Sequence, residues 1–293
     1  EVVGDEEISK ALPLRHQGLR RGGVLPQGDR PRPLVRLPHG RQAVRGAAER
    51  KRREQETMKI IDLSVSIVDG LPVDRPVQIP KIRYRRHTDD ESVTTFLAAY
   101  PGLTREQLID GHGWAIEQIE LSTHTGTHVD PPAHLFAGRT TLDAFPPEQF
   151  LGRALVIDCR GLSEGEAITM AQLLPYGDKP AQADFLLFNT GWDARWGTDA
   201  YFGDYPCVDD QLLDYILAGE YKGIGFDVIG LDPIADENLT RHKQLFREKD
   251  ILNIENLKNL HLCGSDLFSF GCFPLKWEGS DGAPVRAMAW FED

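Results

Sequence analysis

Three histidines and an aspartate fall within eleven residues in the run His124-Thr-Gly-Thr-His128-Val-Asp130-Pro-Pro-Ala-His134. The whole chain of 293 residues has only nine histidines, so scatter does not produce such a cluster. Two imidazoles and a carboxylate make a borderline-to-hard donor set suited to Zn²⁺ or Mn²⁺. No sulfur lies in the run, which disfavours a structural thiolate zinc site. In a helix His124 and His128 would share a face while Asp130 pointed away, and Gly126 and Pro131-Pro132 oppose a helix in any case. A strand end turning tightly at Gly126 brings all three donors to one point instead. The threonine hydroxyls can then hold the imidazoles in orientation, and the proline pair stiffens the exit and sets His134 at a fixed offset. A serine or cysteine nucleophile is the other enzymatic reading. No cysteine carries a local nucleophile signature, and the histidine cluster is the stronger signal.

The elements that position this run must come from an ordinary globular chain. Its hydrophobic fraction of 41% suffices for a core. A net charge of -12 argues against a general nucleic-acid partner. No apolar run approaches the roughly 18–20 residues of a membrane span. Cys159, Cys207, Cys263 and Cys272 contain no CxxC pair, which fits buried apolar residues in a reducing, cytoplasmic compartment.

Composition changes at Met58. Residues 1–57 hold 11 Arg and 2 Lys against 8 acidic residues and have no aromatic residue, so the rest of the chain is more acidic than the overall charge implies. Such a segment buries too little apolar surface to offset its ordering entropy. We expect 1–57 to be a disordered leader outside the native fold, with Met58 as the natural start, and 58–293 to form a single domain. Within it strand-like and helix-like stretches alternate. KIIDLSVSI, WAIEQIELS, RALVIDCRG, DFLLFNTG, KGIGFDVIGLD and ILNIENL read as strands. Thr104-Arg-Glu-Gln107 is a capping box, TMAQLLPY a helical turn or two, VDDQLLDYILAGEY an amphipathic helix and LTRHKQLFREKD a polar helix. PLKWEG-SDGA-PVRAMAWFE reads as a hairpin turning at Asp281-Gly282. The expectation is an α/β fold with a mixed sheet.

The metal run resembles the HxGTHxDxPxH signature of the cyclase family, whose members include kynurenine formamidases and isatin hydrolases. IIDLSVSI resembles the family's opening IxDLS strand, GFDVIGLDP its GxDxxSxDP segment, ILNIENLKNL its LExLxNL element and PLKWEGSDGAPVRAMA its PLxxxGxDGxPxRxxA ending. The resemblance implies a swivelling β/β/α domain and a homodimer or homotetramer. It implies that His124, His128 and Asp130 ligate a metal, that His242 and Glu255 complete the site or hold a second ion, and that His134 moves protons. One or two ions of Zn²⁺ or Mn²⁺ per subunit are expected. Independently, Glu255 sits in an otherwise apolar run, where a buried acid without a cation is costly. Asp227 and Asp232 read as structural hydrogen-bonding residues, and Glu117 and Glu120 as ordinary strand residues.

The implied reaction is hydrolysis of a C–N bond in a small amide, formamide or cyclic imide. The cation lowers the pKa of its water towards roughly 7 to supply hydroxide, and His134 acts as general acid and base. In the family's WPGDxP element a tryptophan packs on the aromatic substrate of kynurenine formamidases. Leu71 stands at that place here, which keeps apolar substrate contact but loses the flat platform. Residues 84–114 form a long segment suited to a lid or a subunit contact. Two rival readings are a non-hydrolytic cyclase or dehydratase on the same metal site, and a catalytically silent metal-binding scaffold.

Overall fold

The computed structural model describes residues 58–72 and 79–291, all within one compact unit. The reading of 1–57 as a leader lies outside these residues. In chain order the elements are β1 (Lys59–Asp62), β2 (Lys81–Arg85), α1 (Asp90–Ala99), β3 (Ile116–Glu120), β4 (His128–Asp130), β5 (Leu151–Asp158) and β6 (Ala167–Ile168). They continue with β7 (Phe185–Asn189), β8 (Cys207–Val208), α2 (Asp210–Ala218), β9 (Gly223–Phe226), α3 (Thr240–Glu248), β10 (Leu252–Glu255), β11 (Phe268–Pro274) and β12 (Ala283–Phe291). Short 3₁₀ turns join many of them.

Eight strands form one mixed sheet in the order β1-β12-β11-β5-β7-β9-β10-β4, and β4 also pairs with β12. Seven strands therefore close on themselves as a ring, with β1 added at β12. The pairs β5–β7, β7–β9 and β9–β10 are parallel, and the other pairs of this sheet are antiparallel. The mixed α/β fold expected from the alternation of elements is what is found.

Side chains alternate across a strand, so a strand buried on both sides reads as continuous apolar sequence. In β5 and β7 this sorting is complete. Ala154, Val156, Phe185 and Leu187 face one core with Val129 and Ile254. Leu155, Ile157, Leu186 and Phe188 face a second core with α2 residues Leu212, Leu213 and Ile216. Asp209 caps α2 by accepting from Leu212 N at 2.8 Å. Leu217, next on that face, is half-buried. α3 is polar but not wholly solvated, since His242, Leu245 and Phe246 are buried.

Four local expectations needed correction. WAIEQIELS does not run into the histidine segment as one strand. β3 pairs only with β2 in a separate ribbon, and every β3 residue is exposed. α1 lies in the part of the long segment 84–114 for which sequence showed no helix, and Phe96 and Tyr100 cluster on Trp114. The final hairpin exists, but its first strand is Phe268–Pro274 and its register closes at Pro274↔Val285. LKWEG belongs to the connecting loop. The Thr104 capping box is formed, yet it opens only the 3₁₀ turn Arg105–Gln107.

Candidate metal centre

Register builds the floor of the site. β4 and β10 are antiparallel neighbours with His128 opposite Glu255, Val129 opposite Ile254 and Asp130 opposite Asn253. Alternation sends Val129 and Ile254 into the core. His128, Asp130, Asn253 and Glu255 are left as a buried polar square on the other face. The two strands thus carry this group on one rigid surface.

His124 reaches the square from the turn before β4. Gly126 takes φ +71, the left-handed conformation that an L side chain rarely adopts, and an added Cβ would meet Ile67 at 2.9 Å. The expected tight turn at Gly126 is present. Thr127 fixes its exit, with Oγ1 donating to Asn256 O at 2.5 Å and accepting from Val65 N at 2.9 Å. His242 enters from the first turn of α3. Asp232 holds that turn by accepting from Arg241 N at 2.6 Å and His242 N at 3.2 Å.

The ring nitrogens divide into inward and outward sets. His124 Nδ1 lies 2.8 Å from Asp130 Oδ1. His128 Nε2 lies 3.4 Å from Asp130 Oδ1 and 3.3 Å from Glu255 Oε2. His242 Nε2 lies 3.0 Å from Glu255 Oε1. The opposite nitrogens each meet an oxygen: Asp281 at 3.4 Å for His124, Gly126 O at 2.9 Å for His128, and Asp232 at 2.5 Å for His242. An imidazole whose outer N–H is held by a carboxylate or carbonyl has a fixed tautomer and a free inner lone pair, the usual arrangement of a metal-binding histidine. Asn253 Nδ2 donates to Glu255 Oε1 at 2.7 Å.

Electrostatics agree with a cation-accepting pocket. Burial opposes ionisation of Asp130, but the neighbouring His128 and His124 outweigh it and hold its carboxyl well below the usual carboxylate range. Glu255 is lowered against burial and the Asp130 charge by bonds from His128 and His242. Burial disfavours charged His124 and His242 too, yet their carboxylate partners raise them to about 9 and about 10. The protons on those rings occupy the places that a divalent ion competes for. His124, His128 and Asp130 offer donor atoms within 4.8 Å of one another, as do Asp130, His242 and Glu255. Asp130 is common to both sets. This buried nitrogen-and-oxygen donor chemistry fits a divalent metal.

His134 ends the 3₁₀ turn Pro132–His134 beside the square, its ring 4.2 Å from that of His124. Its Nδ1 has no hydrogen-bond partner and stands 3.9 Å from Asp281. Burial pushes its pKa below the ordinary imidazole value. His134, His242 and Glu255 line a cleft of about 330 Å³ with Tyr205, Gly230 and the loop through Asp236 and Glu237. Leu71 is buried and lines neither this cleft nor the smaller cavity beside it, whereas its neighbour Pro72 lines the smaller one.

Sequence reasoning brought six of its seven site residues to one place, and it missed others. Asn253 was detectable only as the same-face neighbour of Glu255 two residues on. Asp281 and Gly282 read in sequence as a turn, but Gly282 is where the chain passes the His124 ring, and a Cβ there would sit 2.6 Å from Cε1. Asp232 is a structural hydrogen-bonding residue as expected, and what it holds is His242. Asp227 accepts from Thr190 N, Thr190 Oγ1 and Gly191 N. Glu120 pairs with Lys81 on the side ribbon. Gly161-Leu162-Ser163-Glu164-Gly165 has the spacing of a nucleophile elbow, against the expectation that the chain has none. It leads from β5 into an exposed turn and then β6, with no helix behind Ser163, so it lacks the elbow's structure.

The Cyclase family model ("Putative cyclase") matches residues 61–233. Kynurenine formamidase from Geobacillus thermodenitrificans is 30% identical over 173 residues, covering 59% of this chain and 78% of that protein. Cyclase-like protein 3 from Oryza sativa subsp. japonica is 28% identical over 177 residues, covering 58% of this chain, and the match spans 64% of its length. Among solved structures, isatin hydrolase A from Ralstonia solanacearum superposes with a TM-score of 0.64 at 23% identity, over 89% of this chain and all of that one. In fold and sequence, the chain belongs to the Cyclase family.

Proposed function

We propose that this protein is a metal-dependent amidohydrolase that cleaves the C–N bond of a small amide, formamide or cyclic imide. One observation carries the reading: two overlapping donor sets share Asp130 on the floor of a cleft, beside His134, whose buried Nδ1 has no hydrogen-bond partner. Its relatives support it, one being a kynurenine formamidase and another an isatin hydrolase.

In this reading His124, His128 and Asp130 would hold one ion, and Asp130, His242 and Glu255 would hold a second, as Zn²⁺ or Mn²⁺. A divalent ion held there would supply the Lewis acidity for activating water near neutral pH and polarising a carbonyl. His134 takes the proton that water gives up when it attacks and returns it to the leaving nitrogen. Its lowered pKa leaves it able to accept that proton at the start. Asp281, Gly126 O and Asp232 fix the three ligand rings, and Asn253 keeps one oxygen of Glu255 in place. We further propose a cytoplasmic homo-oligomer, a dimer or tetramer.

The test is elemental analysis together with assays on N-formyl aromatic amines, cyclic imides and isatin. Hydrolysis releases equimolar carboxylate and amine, or one ring-opened product from a cyclic substrate, and chelation abolishes it. Dehydrated or ring-closed products instead mark a cyclase or dehydratase. Bound metal with no turnover across the panel marks a silent scaffold.

A further inference from the structure

The candidate centre has two unlike cavities on its two sides. His124, Ile229 and Glu255 line both, so they form the partition. On one side lies a small cavity of about 60 Å³, walled by Pro72, Trp196, Tyr201 and Phe202. A single water needs roughly 10–15 Å³ of such space, so only a few non-hydrogen atoms fit. Its wall is firm: Trp196 and Phe202 both pack edge-on against buried Tyr201, at 5.0 and 5.8 Å between ring centroids. Tyr201 OH in turn donates to Asn256 at 2.8 Å.

On the other side lies the cleft of about 330 Å³, the size of a small-ligand site. His134 belongs to this cleft and not to the small cavity. Its rim is acidic through Asp236 and Glu237, and among the described residues no lysine or arginine lines it. Gly230 lines it, and a Cβ there would press on Tyr205 OH at 3.3 Å and touch Glu255 Oε1 at 3.6 Å and His242 Cε1 at 3.8 Å.

We propose that the substrate lies across the partition with a short acyl group in the aromatic cavity and its amine in the wider cleft, and that Gly230 and Glu237 select a bulky amine without an anionic group. This rests on the amidohydrolase reading and assigns its direction. The C–N bond breaks as water oxygen bonds to the acyl carbon, and His134 passes the water proton to the departing nitrogen. That nitrogen must therefore face the cleft that His134 lines. An anionic substituent on the amine would meet Asp236 and Glu237, and an ammonium would be favoured. Asp236 also ties its loop by accepting from Asn238 N and Thr240 N. Glu237 is therefore the residue to vary.

Product binding to the metal-loaded full chain, measured by calorimetry, tests the direction without needing turnover. The probes are acetate, butyrate and benzoate for the acyl side, and aniline, 2-aminobenzylamine and anthranilate for the amine side. Phe202→Ala should improve butyrate and benzoate relative to acetate at least tenfold and leave the amine series alone. Phe202→Leu serves if the alanine variant does not fold. Gly230→Ala should weaken the amine series about tenfold relative to acetate. Wild type should prefer 2-aminobenzylamine to anthranilate, and Glu237→Gln should narrow that preference about threefold. If Gly230→Ala restricts the carboxylates while Phe202→Ala alters the amines, the direction is reversed and the proposal is wrong. Variants that move both series equally overturn it as well. The amidohydrolase reading fails separately, through a panel that releases no products.

Discussion

Replacing Gly282 by alanine places a methyl carbon 2.6 Å from Cε1 of His124 and 3.0 and 3.1 Å from its two nitrogens. Resting carbon contacts lie at about 3.5–4.0 Å, so something must yield by about 1 Å. The backbone is poorly placed to do so. Ala283 and Pro284 are registered against Val129 and His128. Ser280 O accepts from Leu142 N at 3.0 Å, Gly279 N donates to Asp143 at 3.1 Å, and Ser280 Oγ donates to Gly282 O at 2.7 Å. The ring therefore moves, and its contacts with Asp130 at 2.8 Å and Asp281 at 3.4 Å open. A misplacement of about 1 Å costs about 10²-fold in rate, and a misaligned ligand costs about 10–100-fold in metal affinity. Metal affinity is read by chelator competition and turnover on the fastest amide of the panel. Thermal melting of the metal-free protein serves as the control, and should shift little. A Gly282→Ala protein with wild-type metal affinity and rate would refute the claim that this loop holds His124 in place.

Other perturbations separate the remaining roles. His134→Asn should keep metal near the wild-type ratio by elemental analysis while turnover falls about 10²–10⁴-fold; loss of metal would make it a ligand. Asp232→Asn should weaken metal binding about 10–100-fold by freeing the His242 ring, and unchanged chelator competition would contradict this. Because His124 and His242 are raised to about 9 and about 10, their contribution to stability in metal-free protein is fully present below about pH 6.5 and is lost as pH climbs through those values. Melting temperature of chelated protein should fall between pH 6.5 and 10, and bound metal should remove most of that slope. Leu71→Trp adds a large ring at a position only 5% exposed and should cost about 1–3 kcal/mol by overpacking; a denaturant midpoint equal to wild type would show unsuspected room there.

The site was legible where chemistry and local spacing coincide. His124, His128, Asp130 and His134 are close in sequence, and Gly126 and the proline pair announce the backbone that joins them. Glu255 was legible because an acid in an apolar strand demands a reason. What hid was anything set by pairing between distant segments. Nothing in Asn253 itself says that it faces Asp130, because that follows from the register of β10 on β4. Asp281 and Gly282 resemble any hairpin turn until β12 brings them to His124. In the fold, β5, β7 and α2 were readable because periodicity and burial agree. α1 was missed because its helical stretch DESVTTFLAA mixes β-branched residues with a narrow apolar side, and only Ser92 and Val93 are buried. The ribbon partner of β3 was equally invisible, since neither strand has a packed face to give it a period.

The ring of strands also sets an order of events. β4, with His128 and Asp130, is bordered by β10 on one side and by the start of β12 on the other. A chain emerging from the ribosome exposes the histidine run long before either border exists. About 125 residues separate Asp130 from Glu255, and pairings across such separations form late. Until those pairings form, the histidine run has neither Glu255 opposite it nor the Gly282 loop behind His124. In the reading proposed above, the complete donor set exists only once β10 and β12 have joined β4, so metal capture would follow synthesis of the whole chain.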